Sequence, residues 1–320
     1  MSDIHSGTAS QSESDRTLSE EAVHAIENLS GVHPGYRRAH AKGICAHAVF
    51  HPSGLAAAFT TAPQFQEQEV SAIVRFSGSS TDPAMADLLS PAKGMAVQFS
   101  LPGGGISNLV GVTVPVFFAR TPESFVDMIR TVHQAQEGDL GPIDLIQEMI
   151  SHFSESKESL MAVKHLKPPA SYATCHYYCI HAYFLVDSQG NKRPVKFEWI
   201  PDEGIHTLSL KEVSQQTERY LEDELQIRLQ RYPAVFQLSA ILGEEDDPTD
   251  DPTQSWPDDR QRINLGRLYI SEIIQEPQDL VMDPTVISSG MALTDDPILR
   301  FRSTVYSESY HRRSQETKSP

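Results

Sequence analysis

Positive charge is scarce in this 320-residue chain: 26 Lys and Arg stand against 43 Asp and Glu, a formal charge of −17. The summed field repels nucleic acid and anionic lipid, so neither DNA, RNA nor a membrane surface is expected as the main partner. Cysteine is scarcer. Cys45, Cys175 and Cys179 are an odd set of 3, too sparse for a disulfide framework and suited to a reducing compartment. Neither a CxxC pair nor a CxxCH run occurs, which excludes a covalently tethered c-type haem. The N-terminal MSDIHSGTASQSESDR lacks the basic start and apolar run of a secretory signal, and no apolar stretch is long enough to span a membrane. These absences predict a cytoplasmic protein. No internal repeat is present, so a solenoid or propeller is not expected.

What remains is a chain long and apolar enough for a buried core around a sizeable cavity. Residues 1–15 read as a disordered lead-in and 16–320 as one domain. Thr17 with Glu20 predicts a capped helix over 18–29. Small residues alternating through 36–50 predict a strand with Arg38, His40 and Lys42 on one face. A second strand over 69–78 puts Arg75 and Ser77 on a shared face. Further strands are expected at 92–101 and at 107–120, whose apolar LVGVTVPVFF implies burial on both faces. A helix follows Thr121, with Phe125, Met128, Ile129 and Val132 turned inward, and helical stretches continue to 166 before Lys167-Pro-Pro. Residues 172–187 and 194–200 read as a hairpin, 210–229 as a helix burying Leu221, Leu225, Ile227 and Leu229, and 234–242 and 263–275 as strands. The acidic 243–259, GEEDDPTDDPTQSWPDD, reads as a solvated loop and, less well, as a metal site. About eight strands with segregated helices predict an α+β fold built on an antiparallel eight-stranded β-barrel.

Near the C-terminus, RFRSTVYSESYHRR places Arg302 one helical turn before Tyr306. A guanidinium there can sit beside the phenol oxygen and stabilise negative charge on it, as a tyrosinate ligand to ferric iron requires. The same spacing also fits an amphipathic terminal helix with surface arginines and one core tyrosine.

Four separated segments together resemble the haem catalase family, in particular its small catalase-related peroxidase branch. They are RRAHAKG (37–43), VRFSG (74–78), NLVGVTVPVFFARTPESF (108–125) and DPTVISSGMALTDDPILRFRSTVYSESYHRR (283–313), and DPTQSWP (251–257) resembles a further family signature. The resemblance implies a non-covalent haem b with Tyr306 as the iron ligand and Arg302 tuning it. It implies His40 as the distal acid and base, hydrogen-bonded to Ser77. Arg37, Arg75 and Arg313 would hold the propionates, and Phe125 would stack on the porphyrin. Where the large catalases carry a distal asparagine this chain has Val112, which cannot hydrogen-bond, while Thr113 should point to the other face of the strand. The implied activity is a peroxidase with weak catalase activity, using a hydroperoxide and a small organic reductant. Two alternatives stay open, a hydroperoxide-rearranging enzyme of the allene oxide synthase type and a haem-binding protein without turnover. The long N-terminal arm and C-terminal extension of large catalases are missing, so neither an interlocked tetramer nor NADPH binding is expected, and a simple homodimer is. For His176 and His181 no role is expected.

Overall fold

A computed structural model describes residues 13–138 and 141–316. Nine strands form one antiparallel sheet: β1 Gly43–Pro52, β2 Val70–Gly78, β3 Lys93–Ser100, β4 Ile106–Val112, β5 Tyr177–Val186, β6 Lys192–Pro201, β7 Ala234–Leu242, β8 Arg262–Ile274 and β9 Met291–Leu293. Their order is β4-β3-β2-β1-β8-β7-β6-β5, and β4 pairs with β5 at Val112 and Tyr178 to close an eight-stranded barrel, with the short β9 added beside β5. Inside, apolar residues at alternate positions meet: Phe50 packs edge-on to Phe99 at 5.4 Å and to Trp199 at 6.3 Å. Each fully buried aromatic of this kind contributes roughly 2–3 kcal/mol by removal from water, and the tilted ring geometry adds to it.

The helices are α1 Glu13–Ser30, α2 Pro122–Glu137, α3 Pro142–His152, α4 Lys157–His165, α5 Leu210–Val213, α6 Tyr220–Leu229 and α7 Pro297–Glu316. Ala22 of α1, Val126 of α2 and Phe301 of α7 form a small cluster beside the barrel. Asp296 and Pro297 start α7: the Asp296 carboxylate accepts the N–H groups of Ile298 and Leu299 at 2.9 and 3.1 Å, and proline fits the first helical position, where its missing N–H has no role. No helix among the described residues is long and apolar enough to cross a membrane.

Several expectations are corrected. The lead-in lies outside the described residues for 1–12, but Glu13 already begins α1. The strand expected from 36 starts only at Gly43, and His40 adopts a left-handed φ of 53°. Arg38, His40 and Lys42 therefore share no strand face: Arg38 pairs with Glu27 and Glu316, and Lys42 with Asp87 at 2.8 Å. The strand expected through Arg120 ends at Val112. The expected helix 210–229 is two helices, because the polar 214–219 offers nothing to bury, and Ile227 is 53% exposed. In α2 Met128 is buried as expected and Val126 is buried beside it, while Phe125, Ile129 and Val132 are half-buried.

Candidate active site

Between the barrel wall and α7 lies a cleft enclosing about 830 Å³ of free space, part of it continuous with solvent. Of the residues singled out from sequence, His40, Ser77, Arg37, Arg75, Arg302, Tyr306 and Arg313 all line it. Phe125 does not. It lies in an aromatic group with Phe117 and Phe118, at 6.1 and 5.6 Å.

The segment before β1 carries His40 into the cleft in a conformation that costs a non-glycine residue about 1–2 kcal/mol, a strain the surroundings must hold. Ser77, on the cleft face of β2, fixes the ring through a 2.9 Å contact with Nδ1. Gly94 of β3 makes room for the pair: a Cβ there would lie 2.7 Å from Ser77 Oγ and 2.9 Å from His40 Nδ1. Burial, then the charges of Arg75 and Arg302, pull the His40 pKa down to about 4, so the imidazole is neutral at physiological pH. A neutral ring that donates from Nδ1 to Ser77 leaves Nε2 as a base. A proton transfer that depends on this base should hold a flat rate from pH 8 down to about 5 and fall as pH drops through about 4. A pH profile of the transient reaction with peroxide reads this directly, and an inflection near the ordinary histidine value would contradict it.

On α7, Arg302 Nη2 donates to the Tyr306 oxygen at 2.8 Å, and its Nη1 meets His181 Nε2 at 3.0 Å. Arg302 is half-buried and lines the cleft. That burial opposes its charge, but the electrostatic pull and hydrogen bond of Tyr306, together with the pull of Tyr183 and Asp283, offset it and raise the Arg302 pKa. Arginine has no acceptor, so His181 Nε2 must accept and Nδ1 must carry the proton, which it donates to Asp296 at 2.6 Å. His181 and Asp296 are each 1% exposed. Burial keeps His181 below its usual pKa even beside Asp296, so the ring is neutral. The chain Asp296, His181, Arg302, Tyr306 thus fixes the phenol oxygen from behind, and the expectation of no role for His181 is corrected.

At the rim, Arg37 and Arg75 both donate to Glu276, Arg75 at 2.9 Å, and Arg37 and Arg313 both donate to the carbonyl of Leu280 at 2.8 and 3.0 Å. Burial, then repulsion from Arg75 and Arg313, pulls Arg37 down to about 10 despite Glu276. Val112 lines the cleft. Thr113 turns away, as expected: its hydroxyl accepts the Lys93 N–H at 3.0 Å. The acidic loop is not simply solvated. Asp247 and Asp251 are 7% and 4% exposed and bond Arg260 and Thr253, and the Pro252 carbonyl takes the Phe117 N–H at 2.8 Å, bracing the segment that follows β4. Among the described residues no group of His, Cys, Asp or Glu is arranged to hold a metal ion.

Glu276, His181, Asp296 and Gly94 were not found from sequence. Asp296-Pro297 is legible as a helix start, but nothing local signals that its second oxygen meets a histidine 115 residues earlier.

The Catalase family model matches residues 32–318. Two curated relatives, catalase-related peroxidases of Synechococcus elongatus and Mycolicibacterium paratuberculosis, are each 30% identical, covering 92% and 91% of this chain and 88% and 93% of their own lengths. A catalase of Alkalihalophilus pseudofirmus is 25% identical over 85% of this chain, which spans only 43% of that protein. Among solved structures, a fungal catalase superposes with a TM-score of 0.79 at 20% identity over 89% of this chain and 61% of its own. Catalase A from Saccharomyces cerevisiae gives 0.78 at 19% identity over 98% of this chain and 67% of its own.

Proposed function

Because the chain belongs to the catalase family, we propose that it is a haem-dependent peroxidase reducing hydrogen peroxide or an organic hydroperoxide with a small organic donor. The observation that carries this reading is the meeting in one cleft of a phenol oxygen fixed by Arg302 and a neutral imidazole fixed by Ser77. The donor set fits haem b. Tyr306 offers an oxygen of the kind that ligates ferric iron. Burial and the charge of Arg75 hold Arg37 and Arg313 low, a crowding of guanidiniums at the rim that carboxylates such as propionates would relieve. Arg37, Arg75 and Arg313 would hold those propionates and Tyr306 the iron. Haem, when bound, supplies the redox centre that takes up the oxidising equivalents of the peroxide.

The chain's own groups supply the rest. His40 Nε2 accepts the proton of the incoming hydroperoxide and returns it to the leaving oxygen, which departs as water or an alcohol. Ser77 keeps the ring in the tautomer that permits both transfers. Arg302 stabilises negative charge on the Tyr306 oxygen, and His181 with Asp296 holds Arg302 in place. Ala39, Met95, Val110 and Val112 line the cleft with apolar surface, which suits the carbon chain of an organic hydroperoxide.

Dismutation needs a second peroxide oriented by a polar anchor, and Val112 offers none. The protein should therefore consume peroxide mainly when a donor is supplied. Val112→Asn should raise donor-free oxygen evolution by up to about 10²-fold, the usual effect of one preorganised donor. Oxygen electrode measurements check both, and vigorous donor-free oxygen evolution by the unaltered protein would overturn the peroxidase reading.

A further inference from the structure

Beside the cleft just described lies a second one, enclosing about 1080 Å³ of free space, part of it open to solvent. Arg37 and Arg75 line both, so this guanidinium pair forms part of the wall between them. Most charges of the second cleft are already committed: Lys42 to Asp87 at 2.8 Å and Arg219 to Glu222 at 2.9 Å. Glu276 is different. It accepts from Arg37 and Arg75, yet its side chain remains 30% exposed, and a carboxylate has about four acceptor sites, so it can take a further donor. Arg75 and Arg37 hold it below the usual carboxylate range against the burial that opposes them, so it is ionised at neutral pH. Tyr36, also in the lining, is 48% exposed.

We propose that this second cleft is the docking site of the electron donor, a hydroxylated aromatic molecule whose ring lies against Tyr36 and whose hydroxyl donates to Glu276. An aromatic ring suits Tyr36 and the guanidinium planes. The lining sets Glu218, Glu222 and Glu276 against Arg37, Lys42, Arg75 and Arg219, each of which already has a carboxylate partner, so the cleft suits an uncharged donor. The inference rests on the haem reading, because Arg37 and Arg75 are the residues assigned to the propionates. A donor in the second cleft would then sit beside the guanidiniums that would hold the propionates, without entering the peroxide cleft. The stoichiometry closes as one hydroperoxide and two phenols giving one alcohol, one water and two phenoxyl radicals. The O–O bond breaks and each phenol loses one electron to the haem and one proton to solvent. Glu276 orients the hydroxyl and is not consumed.

The test is calorimetric titration of catechol into the haem-free full-length chain and into two variants, Glu276→Gln and Ala84→Trp, the second placing an indole in the exposed rim of the cleft. Saturable binding, weakened about tenfold or more in each variant, is the expected result. No saturable binding, or binding undiminished in both variants, overturns the assignment. Haem titration of the same preparations reports on the haem reading separately: catechol binding without haem binding would overturn the reductant role and leave only a phenol-binding cleft.

Discussion

Replacing His40 with alanine is expected to slow the reaction of the haem-loaded protein with hydrogen peroxide by roughly 10²–10⁴-fold, the usual contribution of a positioned acid and base. The expectation follows from three features of the site. The imidazole is held by Ser77 at 2.9 Å, it is placed by a left-handed backbone at φ 53°, and it is neutral because burial and nearby arginines lower its pKa to about 4. A neutral ring can both take and return the proton, which a protonated one cannot. Alanine removes the base and leaves the Arg302–Tyr306 pair untouched, so haem occupancy should be retained while the rate falls. Added imidazole should restore part of the rate. Stopped-flow measurement of the first reaction with peroxide decides it, and an unchanged rate would mean that His40 moves no proton.

Asp296 should show the largest effect on stability, since its two oxygens do two jobs. One caps α7 through the N–H groups of Ile298 and Leu299, and the other accepts the His181 proton at 2.6 Å. Asp296→Ala should lose about 1 kcal/mol from the cap and roughly 1.5–3 kcal/mol from the charge-assisted bond. Thermal melting should register this as a fall of several degrees. Asp296→Asn separates the two jobs. Its amide oxygen can still cap the helix, but its NH₂ group then faces the His181 N–H donor. If the ring reverses its tautomer to relieve that clash, the opposite nitrogen confronts Arg302, which can only donate. The asparagine variant should therefore melt closer to the unaltered protein yet disturb the Arg302–Tyr306 contact, visible as an altered haem spectrum. Equal melting of both variants and the parent would remove Asp296 from this account.

The barrel was legible wherever one strand face is apolar and turns are marked. The β7 strand Ala234–Leu242 was anticipated residue for residue, and β2, β3 and β8 to within one residue at each end. The three-residue β9 was missed because Met291–Leu293 is too short to show a period. His40 was misplaced on a strand because alternating alanines mimic strand periodicity, whereas the backbone turns at that residue. Within the site, residues clustered in short segments could be read: Arg302 and Tyr306 one helical turn apart, Arg75 and Ser77 two apart on a strand. Partners that meet only through the tertiary fold could not. Glu276 reaches Arg75 across 201 positions and His181 reaches Arg302 across 121, and neither approach leaves a local pattern. Glycines are intermediate. Gly94 and Gly43 read as ordinary strand residues, although a Cβ at Gly43 would lie 2.5 Å from the Arg75 guanidinium carbon.

The proposed ligation of haem iron by the Tyr306 oxygen rests on Arg302, which donates to that oxygen at 2.8 Å. Its most direct test is the absorption spectrum of the purified protein titrated with haem, beside that of Tyr306→Phe. The expected result is stoichiometric haem uptake with a high-spin ferric, phenolate-ligated spectrum in the parent, and loss of that ligation with much weaker haem retention in the variant. Identical spectra and equal retention in the two proteins, or no haem uptake by the parent, would contradict it.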